Sequence, residues 1–92
     1  MAYDSTSGNQ SSNGLSADTL IKLGVGRLVR VSVTTAGAAG AVHDAGVIAD
    51  ATAGNLIAVV PATVGVYYLD WPVLNGIVYK PGAAQVASFT YS

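Results

Sequence analysis

The sequence contains no cysteine and no glutamate, and its single histidine is His43. Without cysteine, the chain has no disulfide framework, no thiolate ligand for a metal ion and no cysteine nucleophile. Without glutamate, the two carboxyl groups that a glycoside hydrolase needs would have to come from aspartates, which are scattered along the chain. These absences exclude covalent stapling and argue against several common kinds of catalytic site.

Charge is equally scarce. Asp, Glu, Lys and Arg make up 10% of the 92 residues, against about 25% in typical soluble domains, and the net charge is -1. A protein that binds nucleic acid needs basic side chains clustered on one surface. The four cations of this chain, Lys22, Arg27, Arg30 and Lys80, are spread along the sequence. We therefore expect no nucleic-acid partner.

What the chain does contain is apolar: hydrophobic residues make up 51% of it, which excludes disorder of the whole chain. Its length allows one domain. The longest apolar stretch, from Leu56 to Leu69, is interrupted by Pro61, Thr63 and Gly65 and is too short to span a bilayer. The N-terminal segment lacks the basic and apolar regions of a secretion signal. We expect one soluble domain, made in the cytoplasm, with no membrane partner.

Residues 1–14 differ in composition from the rest of the chain. From Ser5 to Gly14 there are only small polar residues, which bury too little apolar area to offset the cost of ordering the backbone. We predict an extended polar arm over residues 1–14, held in place by a neighbouring molecule, and a β domain over residues 15–92. Packing of the arm on its own domain is the alternative. Its candidate assembly contacts are Tyr3, Asp4, Asn9, Gln10 and Asn13.

After Leu15, short β-branched runs separated by Gly-, Pro- and Ala-rich breaks predict strands. The predicted strands are Thr19–Leu23, Gly26–Thr35, Ala41–Ala45, Leu56–Val60, Gly65–Asp70, Gly76–Lys80 and Gln85–Tyr91. Short strands at this spacing are typical of a small antiparallel β-sandwich or barrel. Gly37 and Gly40 interrupt the alanine-rich segment 36–41, and Gly46 and Gly54 lie on either side of segment 49–53, so we expect loops there with one helical turn at most.

The predicted second strand, Gly26–Thr35, has one face exposed to solvent. Side chains alternate along a strand, so Val29, Val31 and Val33 point to one side while Arg30 and Ser32 point to the other.

Two other predicted strands, 56–60 and 65–69, are apolar on both faces, which indicates burial on two sides. In a chain of this size we expect the second face to meet another subunit. The pattern therefore predicts a homo-oligomer.

Turn residues predict how the last three strands connect. Asn75-Gly76 is a strong signal for a type I′ hairpin turn, in which both central residues have positive φ. Lys80-Pro81-Gly82 supplies the next turn, with glycine in the left-handed position. We therefore predict a meander of the strands 65–70, 76–80 and 85–91.

No catalytic constellation is evident. His43 precedes Asp44, but neighbouring residues on a strand face opposite sides, and no serine stands in a nucleophile elbow. We expect His43 to be a surface or interface histidine and the protein not to be an enzyme.

The aspartates are too far apart for one calcium-binding loop. Asp44 and Asp50 are predicted to cap turns, and Gly24 and Gly26 to form a bend between strands rather than a phosphate loop. We predict no metal site and no cofactor.

The aromatic residues Tyr67, Tyr68, Trp71 and Tyr79 fall together on the predicted meander. Tyrosine and tryptophan combine apolar area with a polar tip, so the cluster suits a subunit contact or a sugar-stacking platform. Packing in the core is the third possibility. Because Tyr67 and Tyr68 face opposite sides of one strand, at least one of them should lie outside the core.

Seven short segments of the chain form a recognisable pattern. They are Gly26-Arg-Leu-Val-Arg-Val-Ser-Val33, Gly40-Ala-Val-His-Asp44, Ile57-Ala-Val-Val-Pro-Ala-Thr-Val-Gly-Val-Tyr67, Asp70-Trp-Pro72, Asn75-Gly-Ile-Val78, Lys80-Pro-Gly82 and Ser88-Phe-Thr-Tyr-Ser92. Through them the chain resembles, over about residues 24–92, small structural proteins of tailed double-stranded-DNA bacteriophages. These segments are short and are not a catalytic motif, so the resemblance assigns no functional residue to this chain.

The resemblance implies a non-enzymatic virion component, most simply a capsid decoration or cement protein. The partners it implies are further copies of the chain, with a trimer favoured, and a major capsid protein or another virion protein. The alternative is a carbohydrate- or receptor-binding module of a phage tail or fibre, using Tyr67, Trp71 and Tyr79.

Overall fold

The computed structural model describes residues 10–92, which form two four-stranded antiparallel sheets. The strands are β1 (Gln10–Leu15), β2 (Thr19–Leu23), β3 (Gly26–Thr35), β4 (Gly40–His43), β5 (Leu56–Val60), β6 (Gly65–Val73), β7 (Gly76–Lys80) and β8 (Val86–Tyr91). Two single 3₁₀ turns, Ile48–Asp50 and Ala53–Asn55, lie between β4 and β5. The prediction of a small all-β sandwich is confirmed. Among these residues, no helix is long and apolar enough to cross a membrane.

The strand pairing is nested. β4 pairs with β5, β3 with β6, β2 with β7 and β1 with β8, as in a long two-stranded ribbon whose tip lies between β4 and β5. Further pairing of β3 with β8 and of β4 with β7 divides the ribbon into sheets of order β1-β8-β3-β6 and β2-β7-β4-β5. This wrapped ribbon of eight strands is the jelly-roll arrangement.

The predicted meander is wrong. β6 and β8 belong to one sheet and β7 to the other, so the short link between β6 and β7 crosses the sandwich. The predicted type I′ turn is also wrong, because Asn75 does not have the positive φ that this turn requires. Gly76 has φ +151° and begins β7. A β-carbon at Gly76 would lie 2.5 Å from the carbonyl oxygens of Ala45 and Lys22, so the position needs glycine because the backbones approach closely.

The turn before β8 also differs from the prediction. The turn spans residues 82–85, and the Gln85 amide closes it by donating a hydrogen bond to the Gly82 carbonyl oxygen over 3.0 Å. The left-handed residue is Ala84, at φ +64°, rather than Gly82. Gly82 is required instead by the nearby carbonyl oxygen of Ala38, which a β-carbon would overlap.

β1 begins inside the segment predicted to be an arm. Gln10 lies opposite Tyr91, the Ser12 and Tyr91 hydroxyls are 3.2 Å apart, and the Gly14 amide donates to Ser88 Oγ over 2.9 Å. The predicted boundary after residue 14 therefore falls within a strand of the domain. Backbone hydrogen bonds to β8 order this polar segment although it has little apolar area to bury. Residues 1–9, with Tyr3, Asp4 and Asn9, lie outside the described part of the chain.

The core lies between the sheets. Its buried side chains are Leu28, Val31, Val33, Val42, Val60, Val73, Ile77, Tyr79, Ala87, Phe89 and Tyr91. Val31 and Val33 are buried as the alternation predicts, but Leu28 takes the place expected of Val29. The reason is a β-bulge: between Leu28 and Arg30 the register of β3 shifts against β8, so Val29 is an extra residue.

Candidate functional site

The predicted aromatic cluster is dispersed, and Tyr79 lies in the core. Tyr79 is fully buried, and its ring lies 4.6 Å from that of Phe89, between centroids, with the planes tilted by 57°. Its hydroxyl donates to Gln85 Oε1 over 2.5 Å. Burial raises the pKa of Tyr79 to about 12. The interpretation of Tyr79 as an assembly or sugar contact is therefore wrong, because a side chain in the centre of the sandwich meets no partner molecule.

Tyr67 and Tyr68 face opposite sides of β6, as predicted. Tyr68 is 75% exposed. Tyr67 packs against the core, and its hydroxyl donates to the Thr63 carbonyl oxygen over 2.7 Å. Only Tyr68 of this pair extends fully from the outer surface.

Trp71 is 53% exposed but does not share the face of Tyr68. A register shift between β3 and β6 places Trp71 opposite the buried Leu28, whereas Tyr68 lies opposite Arg30. Asp70, at φ +48°, lies within this irregularity. Tyr67, Trp71 and Tyr79 therefore do not form the common platform that the carbohydrate-binding alternative assumed.

His43 is buried, with 7% of its surface exposed, so the expectation of a surface or interface histidine is wrong. Its Nδ1 lies 2.8 Å from the Thr52 carbonyl oxygen and 3.0 Å from Asn55 Oδ1. Both neighbours accept, so Nδ1 carries the proton. Asn55 Oδ1 also accepts from the Thr52 amide, while Asn55 Nδ2 donates to the Asp50 carbonyl oxygen over 2.8 Å. His43 thus fastens the β4–β5 loop over the outer face of the sheet that contains β4.

Asp44 caps a turn, as predicted. Its carboxylate accepts from the backbone amides of Leu74, Asn75 and Gly76 over 3.1, 2.8 and 3.3 Å. It therefore holds the β6–β7 link rather than orienting His43. Within residues 10–92, no three His, Asp, Glu or Cys side chains come together as metal ligands.

Polar and aromatic side chains do converge on the outer face of the sheet β1-β8-β3-β6. Tyr68, Arg30 and Thr90 form one row across neighbouring strands, and Val66, Ser32 and Ser88 form the next. A shallow depression of about 340 Å³ on this face is lined by every member of these two rows except Tyr68, together with Asn13 of β1 and Phe89 of β8. The alternation of side chains along β3 predicted this solvent-exposed face, but only the strand order shows which side chains of β6 and β8 lie next to Arg30 and Ser32.

Arg30 is the centre of this face. Its Nε donates to Thr90 Oγ1 over 3.3 Å, one terminal nitrogen lies 3.5 Å from the Tyr68 hydroxyl, and the guanidinium carbon lies 5.3 Å from the centre of the Tyr68 ring. Within the described part of the chain, the one ion pair joins Arg27 to Asp70 at 3.0 Å. Arg30 therefore has an oriented guanidinium without an acidic partner among these residues.

The described surface also carries much apolar area. Between residues 10 and 92, eleven large apolar side chains are exposed. They are Leu23, Val25, Val47, Ile48, Leu56, Val59, Val64, Val66, Tyr68, Trp71 and Leu74. Leu56, Val59, Val66 and Tyr68 belong to the two strands that were predicted to be apolar on both faces.

Comparison of the chain with models of protein families finds no matching family. Searches among curated proteins and among solved structures likewise find no match.

Proposed function

We propose that this chain is a non-enzymatic structural protein of a bacteriophage virion, a capsid decoration protein that stabilises the shell through many repeated contacts. The observation that carries the proposal is the exposed apolar area. Eleven large apolar side chains are exposed over residues 10–92, whereas only 10% of the residues in the chain are charged. Exposed apolar side chains that adjoin one another, as Val66 and Tyr68 do on the outer face of β6, are typical of surfaces that contact other proteins.

The sheet edges support the same role. β1 and β6 are the outer strands of one sheet and β2 and β5 of the other, and on its outer side each has backbone groups that pair with no other strand within residues 10–92 and that another chain can pair with. Repeated weak contacts of this kind, made by many copies around a shell, add up to strong attachment. The jelly roll itself occurs in viral capsid domains and in lectins, so the fold alone does not decide between structural and sugar-binding roles.

The carbohydrate- or receptor-binding alternative has less support. It relied on stacking by Tyr67, Trp71 and Tyr79, and these side chains lie in three different environments. A sugar-binding role would need another surface.

The copy number of the chain on purified particles tests the proposal. Phage particles from the genome that encodes the chain are washed in high salt, and the ratio of this chain to the shell subunit is measured by quantitative mass spectrometry. A decoration protein is present in numbers comparable to the shell subunit. Absence from the particles, or a few copies confined to the tail, would overturn the proposal.

A further inference from the structure

The face around Arg30 has the chemistry of a protein contact. The Arg30 patch, which we define as Arg30, Val66 and Tyr68, combines one positive charge with two apolar side chains that are 55% and 75% exposed. Arginine and tyrosine are enriched at the centres of protein interfaces. The patch lacks a negative charge, because within residues 10–92 no carboxylate pairs with Arg30.

The complementary chemistry occurs in the β4–β5 loop. The Asp50 patch, which we define as Val47, Ile48 and Asp50, combines one negative charge with side chains of Val47 and Ile48 that are 49% and 36% exposed. The Asp50 amide donates to the Val47 carbonyl oxygen over 3.1 Å, and the Asp50 carbonyl oxygen accepts from Asn55 Nδ2 over 2.8 Å. The loop backbone is thus fixed, while the Asp50 carboxylate forms no ion pair with another described residue.

The other described aspartates are less suitable partners for Arg30. Asp44 is engaged by the backbone amides of the β6–β7 link, and Asp70 pairs with Arg27. Asp18 lies between β1 and β2, next to Ala17 and Thr19 and away from any large exposed apolar side chain in sequence. Asp50 alone among these four combines an unpaired carboxylate with exposed apolar neighbours.

The two patches do not meet within one molecule. Arg30 lies on the outer face of the sheet β1-β8-β3-β6, whereas the loop that carries Asp50 is fastened by His43 to the outer face of the other sheet. Pairing two Arg30 patches about a two-fold axis would oppose two guanidinium groups. A contact between copies that uses both patches is therefore head-to-tail, with different surfaces on its two sides.

From this complementarity we infer that a second copy of this chain docks its Asp50 patch on the Arg30 patch, with the Asp50 carboxylate binding the Arg30 guanidinium. Val47 and Ile48 of one copy then cover Val66 and Tyr68 of the next. This inference deepens the proposed function, since it rests on the proposal that the chain assembles with copies of itself.

A charge swap tests the inference on the purified full chain, with self-association measured by sedimentation at concentrations up to the millimolar range. Arg30→Asp and Asp50→Arg each weaken self-association about tenfold or more, because a buried charge loses its partner and meets a like charge. The double variant, Arg30→Asp with Asp50→Arg, returns to within about threefold of the wild-type association constant, because the opposite charges again face each other.

Lys80→Asp and Asp18→Arg are the matched controls, since they change the net charge equally at positions outside both patches. Thermal melting shows that each variant is folded, and Arg30→Gln and Asp50→Asn replace any charge-reversed variant that is not. The inference is wrong if the wild-type chain stays monomeric, if both single variants associate like the wild type, or if the double variant is as weak as the singles.

Particle occupancy separates this inference from the proposed function. If Arg30→Asp has no effect on self-association but the chain is abundant on particles, the docking inference fails and the structural role stands. If self-association follows the charge swap and the chain is absent from particles, the structural role fails and the docking inference stands.

Discussion

Tyr79 and Gln85 are joined by a hydrogen bond in the middle of the sandwich, where the Tyr79 hydroxyl donates to Gln85 Oε1 over 2.5 Å. Both side chains are at most 1% exposed. Gln85 Nε2 in turn donates to the Pro61 carbonyl oxygen over 2.9 Å. This short chain of hydrogen bonds connects β7, the turn before β8 and the end of β5. In the described residues, no buried side-chain nitrogen or oxygen lacks a partner.

Replacing Tyr79 by phenylalanine tests how much the hydrogen bond between Tyr79 and Gln85 contributes to the free energy of unfolding. The change leaves Gln85 Oε1 buried without a donor, so we expect the free energy of unfolding to fall by about 1–3 kcal/mol. Denaturant titration measures the change. Tyr68→Phe is the control, because the exposed Tyr68 hydroxyl should contribute less than about 0.5 kcal/mol. Equal losses in the two variants would contradict a special role for the buried pair.

The same tyrosine makes stability depend on alkaline pH. Burial raises the pKa of Tyr79 to about 12 from its ordinary value of 10.0, so between these values the unfolded chain releases the phenolic proton more readily than the folded chain. The contribution is complete below pH 10 and is lost as the pH rises toward 12. Melting temperatures measured across this range should fall more steeply for the wild type than for Tyr79→Phe. Parallel curves would contradict the assignment.

Gly76→Ala should be strongly destabilising, and Gly76→Val more so. The new β-carbon would lie 2.5 Å from two carbonyl oxygens, and φ at this position is +151°. We expect a loss of about 2 kcal/mol or more in the free energy of unfolding. Gly54→Ala is the matched control, because its β-carbon meets only Thr52 Oγ1 at an ordinary 3.7 Å. A similar effect of the two substitutions would show that Gly76 is not constrained.

Removal of β1 should destabilise the domain. Deleting residues 1–15 uncovers the edge of β8 and removes the partners of Tyr91 and Ser88, at roughly 1 kcal/mol for each hydrogen bond lost. Deleting residues 1–9 leaves β1 intact and is the control. We expect a lower melting temperature and a tendency to aggregate only for the longer deletion. An unchanged melting temperature would mean that β1 is dispensable, as its composition alone suggested.

The local part of the fold could be predicted from the sequence. The bounds predicted for β2, β3, β5 and β7 agree with the structure, because runs of β-branched residues between glycine and proline breaks carry their own strand signal. β1 was missed because its order depends on backbone pairing with a strand at the far end of the chain.

The pairing of strands could not be predicted in the same way. Asn75-Gly76 has the composition of a hairpin turn, yet β6 pairs with β3 and β7 pairs with β2 and β4. The candidate site was misjudged for the same reason. Nothing local shows which face of its strand a tyrosine occupies: Tyr68 lies on the outer face of β6 and Tyr79 on the inner face of β7, and the packing of the two sheets decides which one is exposed.

The nested strand pairing also determines when during synthesis β1 can pair with β8. β4 and β5 can pair as soon as Val60 has been made, but the hydroxyls of Ser12 and Tyr91, 79 positions apart, meet only after the last strand has left the ribosome. A polypeptide released before β8 leaves β1 and β3 without their shared neighbour. The sheet β1-β8-β3-β6 can therefore form only in chains that have been translated through β8.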